Sequence, residues 1–148
     1  MIQLSQIKQK SIAAVLTAVL AVTACPAVGL AAQTEPPRQA QKIVQTAGRD
    51  RLGSFAPDFA RYNDDILFGE VWSKNDVLSL KARSIVTVSS LISSGIIDSS
   101  LKSHMMRAKA HGVTKAEMVE IITQLGFYAG WPKAWAAFNM AKEVYAGE

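Results

Sequence analysis

Three polar residues stand among apolar neighbours, and each has a side chain that does chemistry. Glu70 lies in Phe68-Gly69-Glu70-Val71-Trp72. A carboxylate held there gains affinity for a proton and can serve as an acid or base. Arg83 lies within the apolar run Leu78 to Ile92. A guanidinium in such surroundings requires an anion, from the protein or from a substrate. His104 has Leu101 at i−3 and Ala108 at i+4. A histidine on the inner side of a helix exchanges protons near neutral pH. Each has a plainer alternative: a surface acid at a helix end for Glu70, a structural ion pair for Arg83, a satisfied core histidine for His104. His111 precedes Gly112 and is expected to interact with the C-terminus of its own helix. Tyr128-Ala129-Gly130-Trp131-Pro132 is a glycine-proline turn flanked by aromatics that can wall an apolar pocket.

Other chemistries are excluded. No glycine-rich phosphate loop, His-Glu-x-x-His or Gly-x-Ser-x-Gly motif occurs. One cysteine rules out an intramolecular disulfide, a paired-thiol centre and a cysteine-rich zinc site. Two histidines leave little for an all-histidine metal site, so no metal is expected. The 148 residues suit one domain.

Residues 1–31 read as a signal peptide. Lys8 and Lys10 precede the apolar stretch Ile12 to Ala24, and small residues follow. The stretch is 13 residues, short of the ~20 that span a bilayer. Gly29-Leu30-Ala31 marks the expected cleavage site. Val22-Thr23-Ala24-Cys25 resembles a lipobox and supplies the alternative, a lipoprotein anchored through Cys25. Either implies export, to a bacterial periplasm. Cleavage after Ala31 removes two of the 16 basic residues, leaving 14 against 12 acidic ones. Without a dense basic patch, no nucleic-acid partner is expected.

Residues 32–38 read as a linker around Pro36-Pro37, and 39–148 as the folded domain. Ala40, Ile43, Val44 and Ala47 share a helical face, as do Phe59, Tyr62, Ile66 and Leu67 behind Pro57, with Asp64 and Asp65 toward solvent. Leu78 to Ile92 carries β-branched residues, but fifteen residues without a turn signal favour a buried helix ending at Gly95. Asp98, Ser99 or Ser100 caps the next helix, which stops at Gly112. Thr114-Lys115-Ala116-Glu117 is a capping box. Pro132 opens a last helix to about residue 145, with Trp135, Phe138, Ala141 and Val144 as its apolar stripe and Trp135 and Phe138 in helix packing. The expected fold is all-α, with about six helices.

Four stretches in this order resemble the carboxymuconolactone decarboxylase family. They are Gly69 to Ser73, Leu80 to Thr87, His104 to Glu117, and Tyr128 to Pro132 followed by Ala136 and Phe138. The resemblance spans residues 45 to 146. It implies an alkylhydroperoxidase-like helical fold assembled as a homo-oligomer, a trimer or hexamer. One branch of the family reduces peroxides through Cys-x-x-Cys-x-x-x-His. Aligned on His104, Ile97 and Ser100 occupy the thiol positions, so this chain lacks that redox motif. The other branch decarboxylates a carboxylated lactone without a cofactor, so the resemblance implies none here. It implies a small acidic substrate, with His104 as proton donor, Arg83 as carboxylate or oxyanion anchor and Glu70 as relay. Trp72, Tyr128 and Trp131 are the expected substrate-binding aromatics. The three polar residues are expected to converge on one pocket, within a subunit or across an interface. A thiol-independent peroxidase relative and a non-enzymatic oligomeric binder of small acids are the alternatives.

Overall fold

The computed structural model describes residues 38–147. The expected signal peptide, both cleavage sites and nearly all the expected linker lie outside the described residues. Among the described residues the fold is entirely helical. Helix α1 (Ala47–Leu52) is followed by α2 (Pro57–Arg61), which continues as a π-helix (Tyr62–Trp72). Then come α3 (Leu80–Ser94), α4 (Ser99–Ala110), α5 (Lys115–Ala129) and α6 (Trp131–Val144).

Helices α3 to α6 enclose the core. Each supplies residues at spacings of three or four, so one face of each turns inward. These are Val88 and Ile92 from α3, Leu101, Met105 and Ala108 from α4, Met118 and Ile122 from α5, and Ala134, Ala137 and Ala141 from α6. The β-branched run of α3 is therefore helical, and burial of Val88 and Ile92 decides it against its strand propensity.

The expected caps are present. Asp98 accepts from the Ser100 N–H at 2.8 Å. Gly112 has φ +87°, and the N–H groups of Gly112 and Val113 close on the carbonyls of Lys109 and Ala108. A residue with a Cβ would resist that left-handed turn. At the start of α5, Thr114 and Glu117 cap one another reciprocally, and Lys81 of α3 reaches Glu117 at 2.6 Å. The hydrogen bond from Lys81 leads, with those from Thr114, in lowering the Glu117 carboxyl to about 2. Because the folded chain binds this proton less readily than the unfolded chain, the contribution is full above the ordinary glutamate range. It is lost as pH falls toward 2. Glu117→Gln is expected to melt lower at neutral pH and to lose less stability than wild type between pH ~4.5 and ~2. Thermal melts across that window check this; parallel curves would refute it.

Four expectations are corrected. Residues 38–46 form a non-helical strap, because side chains claim its backbone. Asn75 accepts from the Gln41 N–H at 2.9 Å and donates to the Gln41 carbonyl at 2.7 Å, and Ser73 accepts from the Ile43 N–H at 2.8 Å. Second, Asp64 is buried. It accepts from the N–H groups of Gly48 and Arg49, each at 2.9 Å, and so caps α1 from a distant segment. Burial pushes its carboxyl up, but those bonds, Asn63 and the charge of Arg49 outweigh it and hold it low. Asp65 does face solvent. Third, the second helical segment widens into a π-helix, whose loosened carbonyls take other donors. Lys42 donates to the Gly69 carbonyl at 2.7 Å, and the Ser73 hydroxyl to that of Phe68 at 3.2 Å. Fourth, Ala141, Phe138 and Val144 of the expected α6 stripe pack on the core together with Ala134 and Ala137, but Trp135 does not and is 64% exposed. Small residues let α5 and α6 approach closely: a Cβ on Gly126 would lie 2.6 Å from the Trp131 ring.

Candidate functional site

The wider turns of the π-helix bring Phe68 and Trp72 together, their ring centroids 5.7 Å apart and both side chains buried. Facing them is a stripe of α4. His104, Arg107 and His111 recur at i, i+3 and i+7, so one helix face carries all three. The Arg107 guanidinium lies 4.6 Å from the Phe68 centroid and 5.8 Å from that of Trp72. Its charge lies within cation–π reach of the rings, and the half-buried side chain lines a cavity.

That cavity has a volume of about 160 Å³. The strap contributes Ile43 and Gln45, the π-helix Phe68 and Trp72, α3 Leu80, and α4 Arg107 and His111. Among these, Arg107 is the one formal charge and His111 the one group that titrates near neutrality. The volume is below the usual range for drug-sized ligands. A larger groove of about 410 Å³ runs between α5 and α6. Its wall includes Trp131, Trp135, Phe138 and Lys142 but no histidine or arginine.

His111 is firmly placed. Its Nδ1 lies 2.8 Å from the hydroxyl of Ser84, which is 2% exposed on α3. Its ring centroid lies 5.8 Å from that of Trp72. Burial and then the Arg107 charge lower its affinity for a proton, against a backbone hydrogen bond at Leu80 that raises it. The expectation that His111 serves its own helix C-terminus is corrected: Val113 and Gly112 satisfy those carbonyls, which frees the ring to cross to α3. His104 is half-buried, and burial followed by Arg107 lowers its proton affinity too.

The other expected residues lie elsewhere in the single chain. Glu70 is exposed, in a groove with Lys42, Arg49, Asp64 and Asp65. Arg83 donates from Nη2 to the Lys74 carbonyl at 2.8 Å rather than to a protein carboxylate, and its buried Nε has no partner. Neither of these, nor His104, lines the cavity beside His111. Among the expected aromatics Trp72 lines it, whereas Trp131 lines the α5–α6 groove and Tyr128 is 84% exposed. Sequence reasoning missed Arg107. The signal was present: Arg107 falls midway between the two histidines, on their face of the helix.

The described residues form an all-helical domain with a small cavity that carries one guanidinium beside a held histidine. The profile of the Carboxymuconolactone decarboxylase family matches residues 57–143. The chain is 38% identical over 96 residues to the 4-carboxymuconolactone decarboxylase of Acinetobacter baylyi, covering 65% of this chain and 70% of that protein. It is 28% identical over 112 residues to an uncharacterized 15.0 kDa protein in the nqo9-nqo10 intergenic region of Paracoccus denitrificans, covering 75% and 74%. The chain belongs to the carboxymuconolactone decarboxylase family.

Proposed function

We propose that this protein is a cofactor-free carboxy-lyase that acts on a small carboxylated lactone or a related enolisable acid. The observation that carries this reading is the cavity wall, where one guanidinium and one histidine face a space otherwise free of charge. Such a reaction breaks the bond to a carboxylate and releases carbon dioxide. The electron pair runs through the conjugated system to a carbonyl oxygen, and a proton delivered to carbon completes the product. A cation favours both the bound carboxylate and the developing oxyanion, and a histidine can supply the proton. The relative from Acinetobacter baylyi bears the name of this reaction type and supports the reading.

The proton source in this reading is the α4 face that carries His104 and His111. Glu70 and Arg83 enter it only as contributions from a neighbouring copy, since neither lines the cavity in one chain. Homo-oligomeric assembly, as a trimer or hexamer, is part of the proposal. Phe127, Tyr128, Trp131 and Trp135 are all more than half exposed around α5 and α6, an apolar surface of the kind that copies bury. Export to a periplasm, by the signal peptide or as a lipoprotein through Cys25, is likewise proposed from the N-terminal sequence. No helix among the described residues is long and apolar enough to cross a membrane.

The test is carbon dioxide release over a panel of carboxylated lactones and β-keto acids. Wild type is expected to turn over at least one member. The His104→Ala, His111→Asn double variant is expected to fall by about 10²-fold or more in kcat. No release from any member, or an unchanged rate in the double variant, would sink the reading. Peroxide reduction by the same preparation is expected to be absent, because Ile97 and Ser100 cannot act as thiolates.

A further inference from the structure

We propose that Arg107 and His111 form a coupled carboxylate and proton site: a substrate carboxylate seats on Arg107, and His111, held through Nδ1 by Ser84, delivers a proton from Nε2. The proton step rests on the decarboxylation reading above, whereas carboxylate binding stands on the cavity alone.

Arg107 has the marks of an anion site. It is half-buried, it lies within cation–π reach of two rings, and no ion pair joins it to a carboxylate among the described residues. Asp64 and Asp65 pair with Arg49, Glu117 with Lys81 and Glu143 with Lys102, and no acid lines the cavity beside Arg107. A partly desolvated guanidinium with no anion is unfavourable, and a bound carboxylate would relieve it through two parallel N–H donors. Phe68 and Trp72 lie against the guanidinium and close it off on that side, leaving the carboxylate to approach from the cavity.

His111 completes the site. With Nδ1 against the Ser84 hydroxyl and the ring also hydrogen-bonded to the Leu80 backbone, Nε2 is the nitrogen assigned to the ligand. The groups facing the cavity from the strap, the π-helix and α3 are Ile43, Gln45, Phe68, Trp72 and Leu80, and none is ionisable. Ser84, also from α3, is neutral. Arg107 is therefore the charge that His111 senses, in accord with its part in lowering the affinity of that ring for protons. A carboxylate on Arg107 cancels this charge and favours the imidazolium. Binding the acid thus loads the proton that the reaction consumes. After carbon dioxide leaves, the electron pair of the enolate takes the Nε2 proton to form the C–H bond. His111 is left neutral, and water restores its proton when the next acid binds.

Succinate, an unreactive dicarboxylate, is the probe. Calorimetry gives its affinity, and histidine side-chain NMR gives the pH at which each ring titrates. In the wild-type protein, succinate is expected to bind and to move the His111 titration to higher pH by more than that of His104. Arg107→Met is expected to weaken binding at least tenfold and abolish the His111 shift. His111→Asn should still bind succinate but lose about 10²-fold in kcat on a substrate of the panel. Wild-type binding that leaves the His111 titration unmoved overturns the coupling, and this measurement needs no variant to fold. Equal affinity in a folded Arg107→Met protein overturns the carboxylate site, and full turnover by His111→Asn overturns the proton role. Arg107-dependent binding with no carbon dioxide from any panel member upholds the carboxylate site and overturns the decarboxylation reading with its proton step.

Discussion

Arg107→Met is expected to cut kcat/KM for a carboxylated substrate by about 30-fold or more. Methionine keeps much of the length and the contact with Phe68 and Trp72 while removing the charge. Truncating one partner of a desolvated charge pair costs about 2–5 kcal/mol, which corresponds to roughly 30-fold to several thousand-fold. The division of the loss is informative. If Arg107 only holds the carboxylate, KM rises and kcat stays near its wild-type value. If it also stabilises the oxyanion, kcat falls as well, because that charge develops only in the transition state. Arg107→Lys is expected to recover part of the loss, since an ammonium restores charge but not the paired donors. A steady-state comparison of the three proteins checks this, and unchanged kcat/KM in the methionine variant would remove Arg107 from the site.

Leu101→Ala is expected to destabilise the domain by about 3 kcal/mol. Leu101 is fully buried on α4, in the core built with Ile92, Met118 and Ile122. Its loss removes apolar burial and leaves a cavity that the surrounding helices fill only in part. For a domain of this size the melting temperature should fall by about 10–20 °C. The same helix positions His104, Arg107 and His111, so activity should fall with folded fraction rather than through the chemical step. A denaturation curve with kcat measured well below the melting transition tests both statements. A shift under ~1 kcal/mol would show that the core closes around the gap.

Much of the scaffold was legible because its signals are local. Capping at Thr114 and Glu117, the stop at Gly112 and the cap at Asp98 each depend on residues within one turn. The helical reading of residues 78–92 needed only length and the lack of a turn signal. Failures came where a distant group intervened. Residues 40–47 have a helical face, yet Asn75 and Ser73 bind the backbone of the strap instead. Asp64 sits beside Asp65 in sequence, but α1 needed a remote cap and drew one of the pair inward. In the expected α6 stripe, Ala141 is buried and Phe138 and Val144 pack against the core, but Trp135 is left exposed, because close packing against Gly126 favours small residues there.

The sequence alone determined the helical class and, with a single cysteine, the lack of any thiol pair. These follow from composition and from the 3.6-residue period, which are properties of the chain itself. Only the tertiary structure decided which polar groups share a cavity. His111 meets Ser84 because α3 lies beside α4, and Arg107 lies over Phe68 and Trp72 because the π-helix packs there. Glu70 is near Trp72 in sequence but stands in another groove, because successive side chains on a helix leave in different directions. A site that draws on four separate segments is fixed by packing between helices, which local sequence patterns do not encode.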